Sequence, residues 1–114
     1  MPDHTPADEL RAAADRLRNL ATAATPGPWT QTGIGDYGWT VSSSTSALVD
    51  TVDSEEGRAD ADYIATMHPG VGLALADWLD TAAANAAVLT WPNEFVERAL
   101  VTARQFLRSR PDPS

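Results

Sequence analysis

The stretch Ala24-Thr25-Pro26-Gly27-Pro28-Trp29-Thr30-Gln31 decides the fold, because the spacing of apolar residues changes there from helical to extended. Before it, Leu10, Ala13, Ala14, Leu17, Leu20, Ala21 and Ala24 recur at i, i+3, i+4 and i+7, opposite Arg11, Asp15, Arg18 and Asn19. That is one apolar face of an amphipathic helix. Thr5-Pro6-Ala7-Asp8 opens the helix, with Thr5 as cap, Pro6 at a position that needs no amide proton and Asp8 at capping-box spacing. Two prolines around Gly27 then stop it. After the turn, Trp29 with Gln31, Trp39 with Val41, and Leu48 to Val52 read as three short strands of an antiparallel meander. Gly33-Ile34-Gly35-Asp36-Tyr37-Gly38 and Ser42 to Ser46 are the connecting turns. A sheet of three strands is marginal alone and needs a helix on one face, for which Trp29, Trp39 and Val41 are the candidates.

Downstream, Asp53-Ser54-Glu55-Glu56-Gly57-Arg58 reads as a solvated acidic loop, and Asp60 to Met67 as a short helix capped by Asp60. His68-Pro69 repeats the Thr5-Pro6 arrangement and opens a long helix to about Val88. Its apolar positions spill beyond one stripe at Leu73, Ala74 and Ala76, which predicts two neighbours or a second copy of the chain through residues 71–88. Trp91-Pro92-Asn93 breaks that helix, Asn93 caps the last one, and Val96, Leu100, Ala103, Phe106 and Leu107 form its face. The expected architecture is α+β: an N-terminal helix, a three-stranded antiparallel meander, then one short and two longer helices packed on one sheet face. With 114 residues the chain is expected to form a single domain over 1–114, ordered over about 6–108 with tails 1–5 and 109–114.

Composition narrows the function. Sixteen acidic residues face eight arginines and no lysine, a net charge of −8. Residues 36–80 carry nine of the acids and only Arg58. Such a surface repels phosphate backbones and anionic lipid, so neither direct nucleic-acid binding nor membrane binding is expected. The cluster Arg104, Arg108 and Arg110 is read as complementing the negative end of the last helix. Without cysteine there is no disulfide, thiolate metal site or cysteine nucleophile. Met1 to Pro6 lacks the features of a signal peptide, which leads to the expectation of a soluble, cytoplasmic protein.

Chemistry-bearing constellations are sparse. Asp60, Asp62 and His68 suggest a metal site, since residues eight apart on a continuous helix return to nearly one face, but Pro69 breaks that continuity, and His4 sits in the terminal tail. Serines cluster at Ser42 to Ser46 without a Gly-x-Ser-x-Gly elbow. The Gly33 to Gly38 loop lacks the lysine and the following helix of a phosphate-binding loop. No catalytic residue, metal or cofactor is therefore expected. Two binding surfaces remain. Trp29, Trp39, Tyr37 and Gly35 form a candidate ligand platform, with Trp78 and Trp91 as further tryptophans. Asp53, Glu55, Glu56, Asp60 and Asp62 form a candidate partner surface, which as an acidic belt also admits imitation of DNA phosphates.

Three segments carry a wider pattern: Ala24-Thr25-Pro26-Gly27-Pro28-Trp29; Asp60-Ala61-Asp62-Tyr63-Ile64-Ala65-Thr66-Met67-His68-Pro69-Gly70-Val71; and Leu75-Ala76-Asp77-Trp78-Leu79. Together they resemble a family of small uncharacterised proteins of actinobacteria and their phages. They are also similar to the N-terminal part of the Ead-type early proteins of lambdoid phages, where an alanine-rich helix runs into a Thr-Pro-Gly-x-Trp turn. The likeness covers most of residues 8–80. It implies no enzymatic activity; it implies an accessory role in phage–host interplay, through contact with a host protein. The chain departs from these proteins at Pro28, where they can carry lysine, and at His68, where they can carry asparagine. An asparagine in that place implies that a capping acceptor suffices and that no imidazole base is required. The expected function is thus a non-catalytic accessory binder. The alternatives are a protein that sequesters a nucleotide-like signal and an acidic DNA mimic.

Overall fold

The computed structural model describes residues 5–88 and 93–108. His4, Trp91, Arg110 and the expected tail 109–114 lie outside the described residues. The order of elements is α1 (Pro6–Ala23), β1 (Thr30–Ile34), β2 (Trp39–Ser42), β3 (Ala47–Thr51), α2 (Glu55–Thr66), α3 (Pro69–Val88) and α4 (Glu94–Arg108). This is the α+β arrangement that the period change at Thr25 to Trp29 predicts. Contacts group the chain into two compact units, residues 1–20 with 73–114, and residues 21–72. Each has its own apolar cluster.

The unit of residues 21–72 holds the sheet. β1, β2 and β3 pair antiparallel in sequence order, with Gln31 opposite Val41, Thr40 opposite Asp50 and Val41 opposite Val49. A bulge between Gln31 and Ile34 contains Gly33, whose φ of +100° few side chains tolerate. Ser43 closes the second turn: its Oγ accepts from the amides of Thr45 and Ser46 at 3.2 and 3.1 Å. Val41 is fully buried with Ala61 of α2; Ala65 joins them, and Trp29, Trp39, Leu48 and Ile64 pack around them. Among the described residues, the helical members of this cluster are Ala61, Ile64 and Ala65 of α2. Small residues on its inner face, Gly57, Ala61 and Ala65, let the helix lie close to the strands.

In α2 the structure corrects the sequence reading. The helix starts at Glu55, so Glu55 to Arg58 are helical and Asp60 lies inside the helix and does not cap it. Ser54 is the cap, its Oγ accepting from the Gly57 amide at 3.0 Å. The reason is electrostatic and local. A serine followed by two glutamates satisfies the first free amides and places negative charge at the positive end of the helix dipole. A run of acids read only by composition conceals this.

The unit of residues 1–20 and 73–114 is helical. Leu10, Ala13 and Ala14 of α1, Ala76, Leu79, Ala82 and Ala83 of α3, and Val96, Ala99, Leu100 and Ala103 of α4 form one buried cluster. Alanine dominates it, which permits close approach of helix backbones. Polar pairs surround it: the Arg104 Nε donates to Glu9 at 2.9 Å, and the Arg16 Nε donates to the Phe106 carbonyl at 3.1 Å. Arg104 therefore reaches across to α1 and does more than complement its own helix end. Arg18 donates to Asp80 at 2.5 Å and to Asp77 at 3.4 Å. The Asp80 hydrogen bond leads in raising the Arg18 pKa above its ordinary value. Among the described residues, no helix is long and apolar enough to cross a membrane.

Candidate functional site

Residues 21–72 contain seven acids and one base, Arg58, so most of the chain's negative charge belongs to this unit. The burial of α2 decides where much of that charge points. Gly57, Ala61 and Ala65 face the sheet, which turns Glu55, Glu56, Asp60 and Asp62 outward, and all four are exposed. Tyr63 stands 68% exposed among them, and Met67 follows one turn later, also exposed. Asp53, just before the Ser54 cap, is exposed as well. Asp62 accepts from the Gln31 side chain of β1 at 3.1 Å, which anchors one edge of this surface to the sheet. The outer face of α2 is thus four carboxylates around an aromatic ring and a thioether.

The candidate ligand platform is put together differently. Trp29 and Trp39 both pack against the Val41, Ala61 and Ala65 cluster. The Trp29 Nε1 donates to the Thr25 carbonyl at 2.9 Å, closing the proline turn on itself. The Trp39 Nε1 is buried without a hydrogen-bond partner among the described residues, and the Arg58 guanidinium lies 5.2 Å from the centre of its ring. That distance suits a cation–π contact. The Gly35 amide donates to the Gly38 carbonyl at 2.8 Å, so it serves the hairpin turn. Tyr37 at the tip of that turn is 84% exposed. Trp29 and Trp39 share one apolar cluster, while Tyr37 and Gly35 belong to the hairpin tip.

No protein-family model matches this chain, and no match is found among curated proteins or solved structures.

The capping residues show what the polar side chains near helix starts do. The Thr5 Oγ1 accepts from the Asp8 amide at 3.1 Å, and the Thr5 amide donates to the Asp8 carboxylate at 3.3 Å, a reciprocal capping box. The Asn93 Oδ1 accepts from the amides of Phe95 and Val96 at 2.8 and 3.4 Å. At the start of α3, the His68 Nδ1 accepts from the Gly70 amide at 3.1 Å. A Cβ on Gly27 would come within 2.7 Å of the same Nδ1, so the imidazole lies directly on the Thr25-Pro26-Gly27-Pro28 turn. Two segments of the sequence pattern, Ala24 to Trp29 and Asp60 to Val71, meet at this histidine. Among the described residues, no three His, Asp or Glu side chains converge in a way that could hold a metal ion.

A cap that works through one acceptor atom has a measurable signature. Replacing His68 by alanine is expected to cost about 1 kcal/mol, the usual worth of a cap, and His68→Asn is expected to recover most of it. Urea unfolding midpoints of the three proteins measure this. An asparagine variant as unstable as the alanine variant would show that the imidazole is needed for something other than its acceptor.

Two features escaped the sequence reading. Arg58 is the one base in a long acidic run, yet nothing in the local pattern points it at Trp39. Tyr63 and Met67 were legible in principle: they lie four residues apart, opposite the Gly57, Ala61 and Ala65 spacing, once the helix is started at Glu55.

Proposed function

We propose that this chain is a non-catalytic binding protein whose α2 outer face docks on a cationic surface of another protein. The observation that carries the reading is the outward set Glu55, Glu56, Asp60 and Asp62 around exposed Tyr63 and Met67. An aromatic and a methionine within a charged rim have the composition of a contact surface. Charge complementarity of this kind supplies orientation and fast encounter more than raw affinity. The same charge disfavours nucleic acid as the direct partner.

A host DNA-binding protein would present the cationic surface this face suits, which keeps the DNA-mimic reading as a special case. Sequestration of a nucleotide-like signal is the weaker reading, since Trp29 and Trp39 pack against the core cluster and the Gly35 amide is engaged in its turn. The setting, an accessory protein of phage or mobile-element type acting on a host factor, is supported by the sequence resemblance. We place it in the cytoplasm, where a chain without cysteine loses nothing under reducing conditions.

The test is affinity capture from host lysate at rising salt, using the wild-type chain and a Glu55→Gln, Glu56→Gln, Asp60→Asn, Asp62→Asn variant. All four positions are exposed and the amides keep an acceptor oxygen, the one at position 62 that serves Gln31 among them, so the variant is expected to fold, losing about 1 kcal/mol as Glu55 and Glu56 give up their charge at the helix start. A partner retained at low salt should be released as salt screens the contact, and should be absent with the variant. Capture that survives neutralisation of the face would contradict the reading.

A further inference from the structure

The helical unit carries a second surface, whose features do not depend on the reading of α2. The C-terminal half of α3 and the start of α4 form a groove of about 390 Å³. Trp78, Val88 and Phe95 supply its apolar lining, and Asn85, Asn93 and Arg98 its polar one. Phe95 is 84% exposed and Val88 77%, while Trp78 is also exposed. Apolar side chains this bare beside a hollow lined by other apolar groups mark an association surface.

We infer that this groove is a two-fold contact between two copies of the chain, with Phe95 of each copy seated in the groove of the other. Three observations select a second copy as the occupant. A two-fold interface must be self-complementary, and here a projecting ring and a hollow larger than that ring lie in one patch. The charges are self-complementary too. Glu94 and Arg98 stand one helical turn apart at 3.4 Å, both largely exposed, so across a two-fold each can pair with the opposite member of the other copy. Finally, Asp77, next to Trp78 on α3, already accepts from Arg18 of its own chain. A chain of net charge −8 can therefore meet its copy at this patch without stacking like charges. The dimer expected from α3 alone gains its second wall from α4.

Light scattering of the full chain at about 100 μM reads the outcome, since a homodimer is governed by chain concentration. The wild type should read twice 12.2 kDa. Phe95→Asp should read a single chain with an unchanged circular dichroism spectrum. Phe95 lies outside the core, and an aspartate in the first turn of α4 suits the helix dipole. Arg98→Glu sets two glutamates at the contact and should weaken the dimer at least tenfold. A wild type that reads a single chain overturns the inference, as does wild-type dimer affinity in either variant.

Discussion

Gly57→Ala is expected to destabilise the protein by about 3 kcal/mol, the upper end of the cost of overpacking a tight contact. Two effects oppose each other at this position. Alanine is the better helix former by about 1 kcal/mol, so an unconstrained helix would gain from the change. A Cβ on Gly57, however, would overlap the carbonyl oxygen of Val52, well inside any real contact distance. Relief by tilting the first turn is blocked from two sides. The Gly57 amide donates to the Ser54 cap, and its carbonyl accepts from the Thr51 hydroxyl. The contact therefore outweighs the propensity gain. Gly33→Ala is the control, because its Cβ would meet nothing within 4 Å and pays only for the positive φ. Urea unfolding of both variants measures the difference. A Gly57→Ala protein as stable as the wild type, or more so, would mean that α2 does not rest on the chain between β3 and its own cap.

Leu79→Ala is expected to cost about 4 kcal/mol, toward the high end for deleting a buried leucine. Leu79 is fully buried in the helical cluster. The cost of such a cavity depends on how far neighbours can close it. The small members of this cluster, the alanines at 13, 14, 76, 82, 83, 99 and 103, have no side-chain torsion with which to fill space. Closure would require helix backbones to move. Leu79→Met keeps the volume and should cost less than about 1.5 kcal/mol. A loss below 1 kcal/mol in the alanine variant would show that the helices collapse easily onto the gap.

Where the chain turns from helix to strand and back was legible because period and punctuation agree. Leu10 to Ala24 keep a helical spacing, two prolines end it, His68-Pro69 opens a later helix with the same grammar as Thr5-Pro6, and Asn93 caps the last one. The start of α2 was lost because Asp53 to Arg58 was weighed by charge, whereas Ser54 with Glu55 and Glu56 is a capping signal that charge counting hides. Division of the apolar residues between two clusters was not legible, since periodicity tells which face is buried and not against what. For the same reason the sequence offered Trp39 both for the helix-covered face and for a ligand platform, and only the structure shows its packing on the Val41, Ala61 and Ala65 cluster. Its ring position follows from the register that sets Val41 against Val49, and from a helix whose small residues admit it. Of the candidate surface, the carboxylates were named from the sequence, and the exposed Tyr63 between them emerged only with the helix start corrected.

On the proposed reading the α2 outer face binds a protein. Native mass spectrometry of the full chain, recovered gently from a cell lysate, tests it most directly, with the Glu55→Gln, Glu56→Gln, Asp60→Asn, Asp62→Asn variant run beside the wild type. A protein partner on the wild-type chain and none on the variant is the predicted result. An added mass of nucleotide size on both, with no protein partner on either, would contradict it.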